Sequence, residues 1–327
     1  MLPTVPCPPL EGQICDNPTV RTPNFLVVGV ARAGTTAVVK GLSRHPRVAI
    51  TSPKEPHYFA LHGTVPAFTA PGDDVMINNS AITSEADYLA LFPAGNFEAS
   101  GDGSTSTFYY YEHAIPEILR MNPDMKCVVM LREPVERTLS AYQYLVSRGY
   151  ESWPDLLDAI KAEPGRIERG YHHLWHYEAM SHYTESLSAF RDALGPDNLR
   201  VAFQEDLRRD AASVLVPLLR FIGTTPAPGE GDPLEEVNSA GSPRNRLMSS
   251  AVALLGRRAK ARAFVKSVTT WETRERLRRS LFRQRTGVDY RLRKELGPRF
   301  AAERAQLRTL VSGITVNEQL PEWLASD

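Results

Sequence analysis

Residues 25–42 read FLVVGVARAGTTAVVKGL: a short apolar run, then Gly29 and Gly34 with four residues between them, then Thr35 and Thr36 leading an apolar helical segment. A loop of this kind between a strand and a helix start exposes unpaired backbone N–H groups and the positive end of the helix dipole. It is therefore built to hold an anion. In the magnesium-dependent phosphate loop, G-x-x-x-x-G-K-[ST], a lysine follows the second glycine and neutralises the outer phosphates. Here Thr35 takes that place and the basic residue, Arg32, lies inside the loop. Arg32, Ala33, Gly34, Thr35 and Thr36 form the predicted anion cradle.

A second basic position follows the clearest interior strand, KCVVML at 126–131, which ends in Arg132. A metal-dependent phosphotransferase would place a carboxylate at such a strand end. A guanidinium there removes the metal ligand and adds a bidentate anion clamp. Ser140 comes eight residues later, about two helical turns on. The pair can share one anion only beside the helix that carries Ser140, an arrangement suited to a nucleotide with two separately phosphorylated positions. Arg132 could instead pair with Glu133 or Glu136, and Ser140 could be an ordinary helix serine.

The elements that must position these residues read as a parallel sheet flanked by helices. The pattern predicts strands at Phe25–Val28, Arg47–Ile50, Phe97–Gly101, 126–131 and NLRVAF (198–203). It predicts helices at Thr35–Ser43, at 84–92 with Ser84 as cap, and at 134–149, starting on Pro134 and stopping at Gly149. Trp153–Lys161, a long stretch from His173 to Leu194, and Asp210–Ile222 also read as helical. Thr224–Pro243 reads as an exposed loop, with basic helices beyond it, including 257–266, 274–285 and 291–311. The fold class expected is α/β, a three-layer fold with a central parallel sheet and a helical C-terminal portion.

The chain has 327 residues, 42 % of them apolar, enough for a large single domain. We divide it into an N-terminal arm, 1–23, and one domain, 24–327. Lys plus Arg equals Asp plus Glu at 38 each, so no overall field recruits nucleic acid or an anionic membrane. The anion sites must be local. The proline-rich start lacks the features of a signal peptide, and no apolar run approaches the roughly 20 residues of a membrane span. Cys7, Cys15 and Cys127, an odd number without metal-type spacing, favour a reducing compartment. The cytoplasm is the expected location, with no stable membrane insertion.

In order along the chain, GVARAGTTAV, HPRVAITSPKEPHYF, GDGSTSTFYY and LREPVERTLSAYQY resemble the motifs of sulfotransferases that use 3′-phosphoadenosine 5′-phosphosulfate (PAPS). The similarity is greatest to the branch holding bacterial and heparan-sulfate-type enzymes. DNLRVAFQEDLRRDAASVLVPLLRFIG and the RNRL segment continue it, as does the terminal FAAERAQLRTLVSGITVNEQLPEWL, so the resemblance covers roughly residues 24–324. It implies that Gly34, Thr35 and Thr36 wrap the 5′-phosphosulfate. Arg32 stands where many members carry a lysine near the bridging oxygen. The resemblance also implies that Arg132 and Ser140 bind the 3′-phosphate, and that a loop around Arg244 closes over the nucleotide. Glu55 would be the base that takes the acceptor's proton, flanked by Lys54 and His57, with Asp102 as the second candidate. A buried site with a raised pKa would make Glu55 a better base, unless Lys54 points inward. PAPS is the implied donor, with the 3′,5′-bisphosphate PAP as product and no metal. The acceptor is a hydroxyl or amine of a small molecule, lipid or glycan.

Three observations keep rivals open. A phosphotransferase or nucleotide kinase could use the same loop, and a non-catalytic relative could bind nucleotide without turnover. His172 and His176 would share a face if their segment were helical, which invites a metal, although H-E-x-x-H is absent. Tyr171, Trp175, Tyr177 and Tyr183 read either as a wall of the acceptor cleft or as core.

Overall fold

The structure is a computed structural model that describes residues 22–225, 242–243, 282–283 and 288–325. Cys7, Cys15, Arg244 and the basic stretches 257–266 and 274–285 lie outside the described residues, apart from the backbone at 282–283.

Five parallel strands form the central sheet: β1 (Phe25–Gly29), β2 (Val48–Ile50), β3 (Ala99–Asp102), β4 (Lys126–Leu131) and β5 (Leu199–Phe203), in the order β2-β3-β1-β4-β5. Every residue of β1 is buried, as are all but the first of β4. This is why both read as unbroken apolar runs instead of alternating ones: a parallel sheet is covered on both faces. On one side the Thr35–Leu42 helix packs on Ala211–Phe221, so closely that a Cβ on Gly41 would meet Leu215 at 2.6 Å. On the other, Phe108 from the Ser106–Tyr109 helix lies over Gly29 and stacks on Phe190 of the Thr184–Leu194 helix. At the β5 edge, the amide of Val201 donates to Ile314 O and that of Val316 to Val201 O, at 2.8 Å each. This bridge covers an otherwise open strand edge.

From β1 the chain crosses towards β2, whereas from β4 it crosses towards β5. The connections part between β1 and β4, so a crevice opens at their carboxyl ends, where ligands of open α/β sheets bind. All five strands deliver their following loops to this edge: Val30–Gly34, Thr51–His57, Gly103–Thr105, Arg132–Glu133 and Gln204 onward.

The expected strands are present, extended to Gly29 and Asp102 at their carboxyl ends. The capped helix at Ser84 and the proline-led helix, Pro134–Ser147, are present too. Three helices are shorter than expected, the one capped by Ser84 running only over Glu85–Leu89. Trp153–Lys161 is helical only from Leu156, where Asp155 accepts from the Leu157 amide. The stretch His173–Leu194 is not one helix: two short 3₁₀ turns precede a helix that begins at Thr184. Its backbone has other partners. Glu163 accepts the amides of Glu178 and Ala179 at 2.8 Å each, and Thr138 Oγ1 donates to Tyr177 O at 3.1 Å. Among the described residues no helix is long and apolar enough to cross a membrane.

A Cβ at Gly101 would stand 2.2 Å from Phe25 O in the neighbouring strand. Gly101→Ala is therefore expected to separate β3 from β1 and destabilise the fold by about 1–3 kcal/mol, read as a lower urea midpoint. An unchanged midpoint would contradict this packing.

Candidate active site

Gly34 caps the Thr35–Leu42 helix at φ 96° and ψ 6°, a left-handed conformation in which a side chain would be strained. The loop folds back through Ala33 N to Val30 O at 3.1 Å and is tied to β4 through Val30 N to Met130 O at 2.7 Å. The first helical bond then runs from Ala37 N to Gly34 O at 2.9 Å. The amides of Gly34, Thr35 and Thr36 donate to no described residue, which leaves three N–H groups at the positive end of the helix.

Arg32 also adopts a left-handed conformation, φ 75°, unusual for a residue with a side chain. Its Nε donates to Ser140 Oγ at 3.3 Å and its guanidinium lies 4.7 Å from the centre of the Tyr144 ring, with Arg148 at 4.5 Å from the same ring. Arg132 Nη1 donates to Arg32 O at 3.2 Å and Nη2 to Glu136 Oε2 at 3.0 Å, while its buried Nε has no partner. The ion pair with Glu136 is thus real, and it leaves the Nε–H without a partner. Glu136, Ser140, Tyr144 and Arg148 recur every four residues along one half-buried face of the Pro134–Ser147 helix and its end. The structure brings Arg32, Arg132 and Ser140 together beside this helix. Arg32 faces Ser140, away from the place expected for the bridging-oxygen cation.

Lys54 is the cation that reaches the start of the Thr35–Leu42 helix. Its ammonium is 3.5 Å from Thr35 Oγ1 and 2.5 Å from Glu55 Oε1, and its stem crosses Gly103, where a Cβ would come within 2.8 Å of Lys54 Cε. Glu55 Oε2 accepts from Thr105 Oγ1 at 3.0 Å, and its side chain keeps 32 % of its surface accessible. Burial pushes the Glu55 carboxyl up, but the Lys54 ammonium and the hydrogen bonds from Lys54 and Thr105 outweigh it and hold it below the ordinary value. The raised pKa that would make Glu55 a better base is absent, because Lys54 points inward.

His57 is buried; its amide donates to Ser104 Oγ at 3.0 Å and its Nδ1 pairs with Ser106 Oγ at 2.8 Å. Burial pushes its pKa down to about 4, so the ring is neutral at physiological pH. Asp102 is 1 % exposed, and both its oxygens are occupied, Oδ2 by Tyr88 OH and Oδ1 by the Ser104 amide, each at 2.8 Å. Burial raises its pKa. Asp102 shapes the turn after β3, and of the two carboxylates only Glu55 is reachable by an acceptor.

The histidine segment lies beside this region. His172 and His176 flank a 3₁₀ turn instead of sharing a helix face, and among the described residues no group of His, Cys, Asp and Glu has metal-binding geometry. His172 Nδ1 pairs with Asp73 Oδ1 at 2.6 Å and His176 Nδ1 with Tyr109 OH at 2.8 Å. Trp175, Tyr177 and Tyr183 are core, with the Tyr183 hydroxyl donating to Arg132 O at 2.9 Å. Tyr171 stays half-buried against Trp175.

Two residues escaped the sequence reading of the site, Tyr144 and Arg137; Lys54 was named there beside Glu55, but not its approach to the loop at Thr35. Tyr144 and Arg137 were legible in helical periodicity: Tyr144 continues the Ser140 face, and Arg137 occupies the apolar stripe it shares with Ala141 and Leu145.

Comparison with known proteins gives one consistent class. The family model described as "Sulfotransferase family" matches residues 23–228. Among curated proteins, a membrane-associated sulfotransferase of Dictyostelium discoideum is 28 % identical over 174 residues, covering 53 % of this chain and 30 % of that protein. Heparan sulfate glucosamine 3-O-sulfotransferase 6 of Homo sapiens is 28 % identical over 128 residues, covering 39 % and 32 %. The chain thus spans about a third of the length of these curated relatives. A solved sulfotransferase from Alicyclobacillus acidocaldarius superposes with a TM-score of 0.67 at 25 % identity, covering 92 % of this chain and 98 % of that one.

The neutral histidines set an acid limit on the fold. Burial, the main cause, pushes His57 and His176 to about 4 and His173 well below its ordinary value. The unfolded chain protonates such groups near pH 6.5 while the folded protein does not, so their contribution is full above about pH 6.5 and lost as pH falls towards 4. Unfolding free energy is expected to fall between pH 7 and 5 by on the order of 1–2 kcal/mol per histidine, read as a lower urea midpoint. A flat profile over that window would contradict their neutral burial.

Proposed function

Because the chain belongs to the sulfotransferase family, we propose that it moves a sulfuryl group from PAPS to a hydroxyl or amine of a small-molecule, lipid or glycan acceptor. The observation that carries this reading is the pairing of two anion sites across the β1–β4 crevice, with an arginine where a metal-dependent enzyme needs a carboxylate. The residues present fit the donor. The three unpartnered amides at Gly34–Thr36 suit a phosphosulfate, and the unpartnered Nε of Arg132, beside Ser140 and Arg32, suits a separate 3′-phosphate.

When bound, the donor supplies an activated sulfuryl group, which leaves the 5′-phosphate as the acceptor oxygen or nitrogen bonds to sulfur. The chain's own part is positional and electrostatic. Gly34, Thr35 and Thr36 orient the anion with fixed backbone dipoles. Lys54 stands between Thr35 and Glu55, and attraction of its ammonium to negative charge in the cradle loosens its hold on the carboxylate. Glu55 then becomes more basic where it takes the acceptor's proton. Arg32 is always charged at neutral pH and contributes attraction without giving up a proton. The name of the human relative, a glucosamine 3-O-sulfotransferase, favours a hydroxyl acceptor.

Glu55→Gln is expected to lower kcat by about 10²–10⁴ while PAP affinity stays unchanged, measured by labelled-sulfate transfer and calorimetry. Unaltered transfer would remove Glu55 from the mechanism. Arg132→Ala is expected to cost about tenfold or more in preference for PAPS over adenosine 5′-phosphosulfate, which lacks the 3′-phosphate. An unchanged preference would place the 3′-phosphate elsewhere. Transfer should also proceed undiminished in excess EDTA; loss of activity there would favour a metal-dependent phosphotransferase instead.

A further inference from the structure

Arg137 is the least expected residue in the molecule. It lies on the Pro134–Ser147 helix one turn from the strand end, is 0 % exposed, and none of its three guanidinium nitrogens has a hydrogen-bond partner. It forms no ion pair within 4 Å among the described residues. The nearby carboxylate, Glu163, is occupied by the amides of Glu178 and Ala179. A buried guanidinium with no counter-charge is costly, and proteins seldom keep one unless something pairs with it.

The groups around Arg137 share its condition. Within its electrostatic reach are His173 and His176. Both ring nitrogens of His173, Nε2 of His176 and Nε2 of the adjoining His172 are buried without partners. Seven unpartnered polar atoms in one region mark a place prepared for polar ligand atoms. Among the described residues no group of His, Cys, Asp and Glu has metal-binding geometry. The region is continuous with the reaction site: the His173 ring lies 6.3 Å from that of His57, two residues from Glu55. The half-buried Tyr109 and Tyr110 stand at its rim, bonded to the His176 ring and the His173 amide, and are the side chains whose movement would admit a ligand.

Resting on the sulfotransferase reading above, we propose that the acceptor carries an oxyanion, set apart from the reacting group, which docks on Arg137 with His173 and His176 as further polar partners. The imidazoles are uncharged here, so Arg137 supplies the cluster's positive charge, and a neutral polyol would satisfy the rings but leave the guanidinium unpaired. The planar fork of arginine suits a carboxylate or phosphate bidentately. The donor's own anions are met by the loop amides and by Arg132, Ser140 and Arg32; Ser140 lies on the half-buried face of the Pro134–Ser147 helix, next to the buried stripe that carries Arg137.

The test uses the full chain, donor labelled in its sulfuryl group, and a metabolite extract split by anion exchange at neutral pH. Label is expected in compounds retained on the exchanger. Amidation of carboxyl groups, or phosphatase treatment, should then abolish labelling and reveal which oxyanion is read. Arg137→Met should cut transfer to the retained acceptor about tenfold or more through KM, with Arg137→Lys partly restoring it and PAP affinity held in both. Label confined to neutral compounds, or wild-type KM in Arg137→Met, overturns the proposal and leaves sulfuryl transfer standing. No labelled product from any fraction overturns the sulfotransferase reading and this inference with it. Should Arg137→Met fail to fold, the partition of label by the wild-type chain decides alone.

Discussion

The passage from β1 into the Thr35–Leu42 helix through a left-handed Gly34 is the constraint on which the rest depends. That one backbone conformation turns three amides outward at a helix start, and the sheet behind it holds them there before any ligand arrives. Each side of the crevice then supplies one kind of group. β4 brings Arg132 and the helix bearing Ser140, Tyr144 and Arg137; β2 and β3 bring Lys54, Glu55 and Thr105. An all-parallel sheet makes this convergence unavoidable, since every strand ends at the same edge.

Two kinds of cation line the crevice. A cation that cannot leave, such as a guanidinium, fixes an anion; one on a flexible stem, such as the Lys54 ammonium, can be shared. In the structure Lys54 is shared between Thr35 and Glu55, which keeps the carboxylate ionised but weakly basic. In the proposed reaction, occupancy of the neighbouring cradle would raise that basicity. Asp102, buried and doubly hydrogen-bonded, has no comparable freedom, and its place is in shaping the turn that carries Thr105.

Much of this was legible in the sequence because local signals and tertiary structure agree there. The apolar runs at 25–28 and 126–131 are interior strands; Pro134 and Gly149 bracket a helix; Gly34 sits where a left-handed turn needs a glycine. The readings that failed did so where tertiary partners override periodicity. The segment after His173 has helical spacing, yet Glu163 and Thr138 take its backbone groups and hold it in 3₁₀ turns. The direction of Arg32 was equally hidden, since nothing local shows that it turns to Ser140 while Lys54 approaches Thr35. Arg137 was in plain view as an arginine within an apolar stripe, a conflict of levels that marks functional positions.

The central claim is that two separated anion sites flank one crevice and grip an adenylate at both ends without a metal. Isothermal titration of the full chain in EDTA, with adenosine 3′,5′-bisphosphate against adenosine 5′-monophosphate, addresses it most directly. The expected result is one-site binding of the bisphosphate with at least about tenfold preference over the monophosphate, equivalent to about 1.4 kcal/mol or more from the 3′-phosphate. No heat with the bisphosphate, or equal affinity for the two nucleotides, would contradict it.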